Sequence, residues 1–257
     1  MVEAMAQIKT LLHAPFEDCC HSDRLACPNG VVNLRTGELL PIARPGDFFT
    51  SACAYDPKAS VEAAELFFQE FFPVEHYHDS HDLVRCQQQW FGYCLTGETR
   101  LEKSMWYYGN GSNGKTKIIE MVALVLGPHI YAEIPMSSMC KGRGVNNDAL
   151  YDARQARHVT ISENDKSMKI SEAAYRSIVS GEKQCLKTMY KKEVSRKSNM
   201  KLTCTVNEVP AWDNPKDLCS MRRNYNHLQK LFLDMDDEMS RRKLKNIATR
   251  VYQHALL

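Results

Sequence analysis

The 257-residue sequence predicts an α/β fold: a central, mainly parallel sheet flanked by helices, with a small α+β and helical region before it. Three observations carry this expectation. The apolar run Met105-Trp106-Tyr107-Tyr108 stops at a glycine-rich loop, and a helical spacing of apolar residues follows. Two later runs, His158 to Ser162 and Leu202 to Val206, read as buried strands. Ahead of all these, residues 27–53 read as short strands and turns.

In chain order, NGVVNLRTGELLP offers strand residues Val31, Val32 and Leu34, a turn at Arg35-Thr36-Gly37-Glu38, then Leu39 and Leu40. Val61 to Phe72 reads as a helix with Leu66, Phe67, Phe71 and Phe72 apolar. Asp82 to Leu95 reads as a second, aligning Leu83, Gln87, Trp90 and Cys94 on one side, and Gly97 ends it. After the glycine loop, Ile118, Ile119, Val122, Val125 and Leu126 define a helix closed by Gly127-Pro128. The tail from Asp236 carries Leu244, Ile247 and Val251 on an amphipathic helix. The expected divisions are a strand-turn and helical region over 1–100, a core over 101–227 and a helical tail over 228–257.

Composition excludes several classes. A chain with 44% hydrophobic and 25% charged residues is globular, and no run of about 18 apolar residues offers a membrane span. The N-terminus lacks a basic start followed by an apolar stretch, so the expected location is intracellular, in cytoplasm or nucleus, without secretion. Ten scattered cysteines fit reduced thiols better than a disulfide framework. A net charge of +2 says little, so any nucleic-acid surface must come from local clustering.

The chemistry begins at Tyr107-Tyr108-Gly109-Asn110-Gly111-Ser112-Asn113-Gly114-Lys115-Thr116, which fits Gly, four residues, Gly-Lys-Thr. Gly109, Gly111 and Gly114 allow tight turning that aims backbone N–H groups at phosphate oxygens. The following helix adds its positive end. Lys115 would reach the β- and γ-phosphates of ATP, and Thr116 would offer its hydroxyl to Mg²⁺. Strand, glycine loop and helix together form the context this motif requires.

Hydrolysis needs an acid at a neighbouring strand end, and Glu163 follows HVTIS at once, with Asp165 two positions on. The plainer reading of Glu163 is a strand cap in solvent. Asn207 ends the LTCTV run and could hydrogen-bond the γ-phosphate or the attacking water, though Asn also suits turns. Arg222 and Arg223 follow, and an arginine supplied across a subunit boundary stabilises charge on a transferring phosphoryl group.

Lysine loop, acid, amide and arginine in this order resemble superfamily 3 helicases, AAA+-related motors of viruses and plasmids. The similarity is greater to the phage/plasmid and poxvirus-type primase-helicase branch. NGVVNLRTGELLP resembles the segment before that branch's motor, and WFGYCLTGETRLEKSMWYYGNGSNGKTK its helix, Leu-Thr-Gly turn and phosphate loop. ARHVTISEN, YRSIVSGEK, CLKTMYKKEV and KLTCTVNEVP then follow in the branch's order, so the resemblance covers roughly residues 27–223. It implies an AAA+-like P-loop NTPase core that assembles as a ring, expected to be a hexamer, and translocates on single-stranded or forked DNA. It also implies that Lys115 and Thr116 belong to the first motif, Glu163 to the second and Asn207 to the sensor, with Arg222 or Arg223 acting on a neighbour's ATP.

Three stretches depart from that pattern. Ser180-Gly181-Glu182-Lys183 stands where the branch has a Gly-Gly-Asp type turn, and Lys187 where it often has arginine. Asn224-Tyr225-Asn226-His227 replaces an apolar strand. No primase domain precedes the motor, so the chain is expected to be a fragment, a stand-alone helicase or a relic, with primase as a possible partner or missing domain.

Between acid and amide lies KQCLKTMYKKEVSRKSNMK, residues 183–201, in which Lys183, Lys187, Lys191, Lys192, Arg196, Lys197 and Lys201 stand against Glu193 alone. Alternation around Leu186, Thr188 and Tyr190 suggests a hairpin, and the resemblance places it in the ring's pore. Each phosphate it neutralised would release counterions, and Tyr190 could stack on a base, though a buried hairpin tyrosine is the simpler reading of that residue. The plainer reading is a solvated basic hairpin. Lys141 and Arg143 beside Gly142 and Gly144 mark a basic loop, most simply a solvated one. His76, His78 and His81, and Cys19, Cys20, His21 and Cys27, lack a second pair at zinc spacing. Competing functions are a phosphate-loop ATPase for packaging or remodelling, and a degenerate DNA-binding scaffold.

Overall fold

A computed structural model of the chain describes residues 23–27, 30–41, 62, 66, 80–108, 115–140, 147–162, 169–186, 193–207 and 210–213. Of the helix expected over 61–72, Glu62 and Leu66 are helical; its other residues and the tail helix lie outside the described residues.

Three short strands form an antiparallel meander, β1 (Arg24–Cys27), β2 (Gly30–Asn33) and β3 (Leu39–Leu40). The expected turn is present. Asn33 Oδ1 accepts the Arg35 N–H at 2.9 Å, and Gly37 takes φ +75°, a value that favours glycine. β1 was not foreseen: RLAC carries neither alternation nor a β-branched residue.

The principal sheet contains β4 (Met105–Tyr108), β5 (Tyr131–Glu133), β6 (His158–Ser162) and β10 (Lys201–Val206), in the spatial order β4-β10-β6-β5. Every pairing in it is parallel. Helix α1 (Ser80–Leu95) buries Gln87, Trp90 and Cys94, the stripe its spacing predicts, and α2 (Lys115–Leu126) buries Ile118, Ile119, Val122 and Leu126. Two short helices, α3 (Asn147–Asp152) and α4 (Glu172–Val179), complete the layers. The α/β architecture with a parallel sheet and flanking helices is as expected.

Side chains alternate across a strand, and this sheet sorts them by polarity. On one face Trp106, Val159, Ile161, Leu202, Cys204 and Val206 join the main apolar core, with Tyr175, Ile178 and Val179 of α4. On the other, α1 covers polar groups. Trp90 Nε1 donates to Thr203 Oγ1 at 2.9 Å, the Tyr107 hydroxyl donates to Gln87 Oε1, and His158 Nε2 lies 2.7 Å from Thr203 Oγ1. A smaller apolar cluster joins Val122, Leu126 and Ile130 to Leu25 of the meander.

Two small sheets stand apart from the main one. β7 (Lys169–Ile170) pairs in parallel with β11 (Ala211–Trp212), and β8 (Lys183–Leu186) pairs antiparallel with β9 (Val194–Lys197). The second pair is the expected basic hairpin.

Candidate nucleotide site and basic hairpin

The site is built by three neighbouring strands that end together. Val206 of β10 lies opposite Tyr108 of β4, and Thr205 lies opposite Ser162 of β6. The chain therefore leaves β4 into the glycine loop, β6 into Glu163 and β10 into Asn207 along one edge. With strands about 4.8 Å apart, the exits of β4 and β6 stand roughly 10 Å from each other, with β10 between them.

Lys115 opens α2 and is buried at 6% exposure, while Thr116 beside it is exposed. Burial of the Lys115 ammonium lowers its pKa. Asn207 is exposed directly after a strand whose six residues are all buried. Gly109, Asn110, Gly111, Ser112, Asn113, Gly114, Glu163, Arg222 and Arg223 lie outside the described residues, as do Lys187, Tyr190, Lys191 and Lys192.

The hairpin's described part sets Lys183 opposite Lys197 and Gln184 opposite Arg196. Lys183 and Lys197 are exposed and Arg196 is half-buried. Its lead-in is a Schellman ending to α4: Gly181 N donates to Ile178 O at 3.3 Å and Glu182 N to Ser177 O at 3.1 Å. Gly181 has φ +67°, and a Cβ there would collide with the Thr99 side chain. The Ser-Gly-Glu-Lys departure from the branch pattern is thus a glycine-capped helix end.

Lys201 corrects the inventory of hairpin cations. It is 2% exposed, and its Nζ donates to Thr96 O and, at 3.0 Å, to Asn199 O. Burial lowers its pKa to about 7. Beside it Arg157 Nη1 donates to Leu95 O and Nη2 to Arg24 O at 2.9 Å. The two cations thus bind the carbonyls at the end of α1, where the helix dipole favours positive charge. Sequence reading missed this because Lys201 sits in a run of lysines. The available signal was the alternation in KLTCTV, which puts Lys201 on the face of Thr203 and Thr205.

Among the described residues no His, Cys, Asp or Glu grouping could hold a metal ion, and no helix is long and apolar enough to cross a membrane. Six described cysteines, Cys27, Cys86, Cys94, Cys140, Cys185 and Cys204, take part in no disulfide.

A family profile described as "D5 N terminal like" matches residues 1–74, a span that contains NGVVNLRTGELLP. No curated protein matches the chain. Among solved structures, the apo structure of the NrS-1 C terminal region (305–718) is similar at 12% identity and TM-score 0.47, covering 74% of this chain and 44% of that one. The A form apo structure of the same region is similar at 14% identity and TM-score 0.46, covering 76% and 45%. The chain thus spans less than half the length of these structures.

Proposed function

We propose that the chain is the motor part of an ATP-dependent DNA helicase or translocase that serves replication of a viral, phage or plasmid-like element. The observation that carries this is the side-by-side ending of β4, β10 and β6. In open parallel sheets ligands bind beyond the carboxyl ends of the strands. Here those ends lead into a phosphate-loop sequence, an amide and an acid. The "D5 N terminal like" match over residues 1–74 supports the viral replication context.

In this function Gly109 to Gly114 cradle the phosphates with backbone N–H groups, and Lys115 neutralises the β- and γ-phosphates. Lys115 opens α2, where the positive end of the helix and the ammonium can act on the same phosphates. Thr116 and Glu163 are hard oxygen donors of the kind Mg²⁺ takes, and the exposed Thr116 is open to it. That ion, when bound, would neutralise charge developing on the phosphates. Glu163 would orient and deprotonate the attacking water, Asn207 would hold that water or the γ-phosphate, and Arg222 or Arg223 would act from the next subunit of a ring, taken as a hexamer.

The basic hairpin would carry the DNA strand. Lys183 facing Lys197 is unfavourable in isolation, and a polyanion relieves it. Lys187, Tyr190, Lys191, Lys192, Arg196 and Lys197 would contact phosphates and bases.

The test compares ATP hydrolysis, with and without single-stranded DNA, in the natural chain, Lys115→Ala and Glu163→Gln. The expected result is DNA-stimulated turnover that falls at least about 10²-fold in each variant. Turnover without DNA stimulation overturns the translocase, and nucleotide binding without turnover supports the scaffold instead. Absence of unwinding on a forked duplex, with stimulation intact, favours a packaging or remodelling motor.

A further inference from the structure

Residues 211–213 are a short segment with long reach. β6 and β10 leave the main sheet as neighbours, and the chain after each returns to a second parallel pairing, with Lys169 opposite Ala211 and Ile170 opposite Trp212. β6 and β7, which flank Glu163 in the chain, are thereby paired with β10 and β11, which flank Asn207. Asp213 completes the join: its N–H donates to Ile170 O at 3.0 Å. Its Oδ1 accepts the N–H of Glu172, the first residue of α4, at 3.1 Å. Ser171 supplies the other cap, accepting from Ala174 N at 3.4 Å. A carboxylate suits this place, since it meets a helix's unsatisfied N–H groups and its positive end.

Trp212 extends the contact in two further directions. Its ring lies 6.1 Å from that of Trp106, on the strand that enters the glycine loop, and 5.3 Å edge-on from Tyr175 of α4. The Tyr175 hydroxyl is 2.5 Å from Ser104 Oγ, which accepts from Trp106 Nε1 at 2.8 Å. Helix α4 in turn runs through its glycine cap into β8 of the basic hairpin.

We propose that Asp213 is a positioning residue: it fixes β7, which follows Glu163 in the chain, against β11, which follows Asn207, and ties both strands to the helix that leads into the hairpin. The inference rests on the ATPase-motor function proposed above. Asp213 acts through the backbone of α4 and β7 and touches no reacting atom.

The experiment uses the full chain with Asp213→Ala and Asp213→Asn. In Asp213→Ala, ATP turnover under saturating single-stranded DNA falls about tenfold, the cost of a small misplacement at a reacting centre. The KM for ATP stays within about twofold of the natural chain, because the phosphate cradle is untouched. Asp213→Asn keeps the Oδ1 acceptor and restores turnover to within about threefold. Near-UV circular dichroism of the Trp106, Tyr175 and Trp212 group confirms that the compared variants are folded, and if the alanine variant is not, Asp213→Ser takes its place. Natural turnover and stimulation in the alanine variant overturn the proposal. So does a loss shared equally by turnover and ATP affinity that asparagine does not rescue. If the natural chain itself hydrolyses no ATP, it is the motor function that fails, and that result is read before any variant is made.

Discussion

His158 begins β6 fully buried, its Nε2 2.7 Å from Thr203 Oγ1 and its ring edge-on to Tyr131 and Phe91. Burial, with the nearby Lys201 cation second, pushes its pKa from 6.5 down to about 3. The unfolded chain therefore binds a proton near pH 6.5 that the folded chain refuses until about pH 3. The sign follows: stability from this group is complete above pH 6.5 and is lost as pH falls toward 3. At about 1.4 kcal/mol per pH unit the loss reaches up to ~5 kcal/mol. Urea unfolding from pH 7 to pH 3.5 should show a steeper decline for the natural chain than for His158→Gln; parallel curves would refute the linkage. Lys201 behaves differently from the lysines around it. Held by Thr96 O and Asn199 O, it is unavailable to a phosphate, so Lys201→Met should leave the salt dependence of DNA binding unchanged. Lys191→Ala with Lys192→Ala should flatten that slope by about one to two units in log-log binding isotherms.

At the scale of elements, the glycine cap between α4 and β8 is a place where one atom decides. Gly181→Ala meets the left-handed penalty of about 1–2 kcal/mol, and its Cβ must displace Thr99, which lies beyond the end of α1. The denaturation midpoint should fall by at least that equivalent, and a smaller drop would mean that the turn relaxes to negative φ. The same region shows what the sequence made legible. Helix α1 could be read because Gln87, Trp90 and Cys94 repeat at helical spacing, and α2 because it follows a loop with a fixed chemical purpose. β6 and β10 could be read as runs of buried residues. β5, β7 and β11 could not, since two or three residues carry no period and become strands only when a longer neighbour lends its ladder. Asp213 went unnoticed for the same reason. Its role comes from a helix N-terminus 41 residues earlier in the chain, and nothing adjacent announces it. The candidate site was legible as a series of residues; that β10 comes to lie between β4 and β6 was a fact of topology.

For the whole molecule, the proposed ring makes a demand that no single chain can meet. One subunit supplies Lys115 and Glu163, and the next supplies Arg222 or Arg223. Lys115→Ala chains keep the arginines but lose the phosphate contact. Chains with both arginines changed to alanine keep the contact but lose the charge that stabilises the transferring phosphoryl group, at a cost of about 10³-fold or more. Each alone should be inactive. Mixed one to one under conditions where subunits exchange, they form some interfaces with an intact loop on one side and intact arginines on the other. Random placement in a closed ring makes that combination at roughly a quarter of the interfaces. ATP turnover of the mixture should therefore rise well above the sum of its parts, and it should fall on dilution as rings dissociate. Turnover no greater than the two variants measured separately would mean that the arginines act within their own chain or not at all. Restored turnover that ignored dilution would mean that the rings stay assembled over the concentrations used. The prediction separates a ring motor from a monomeric ATPase with the same phosphate loop, because only the ring can divide one active site between two defective chains.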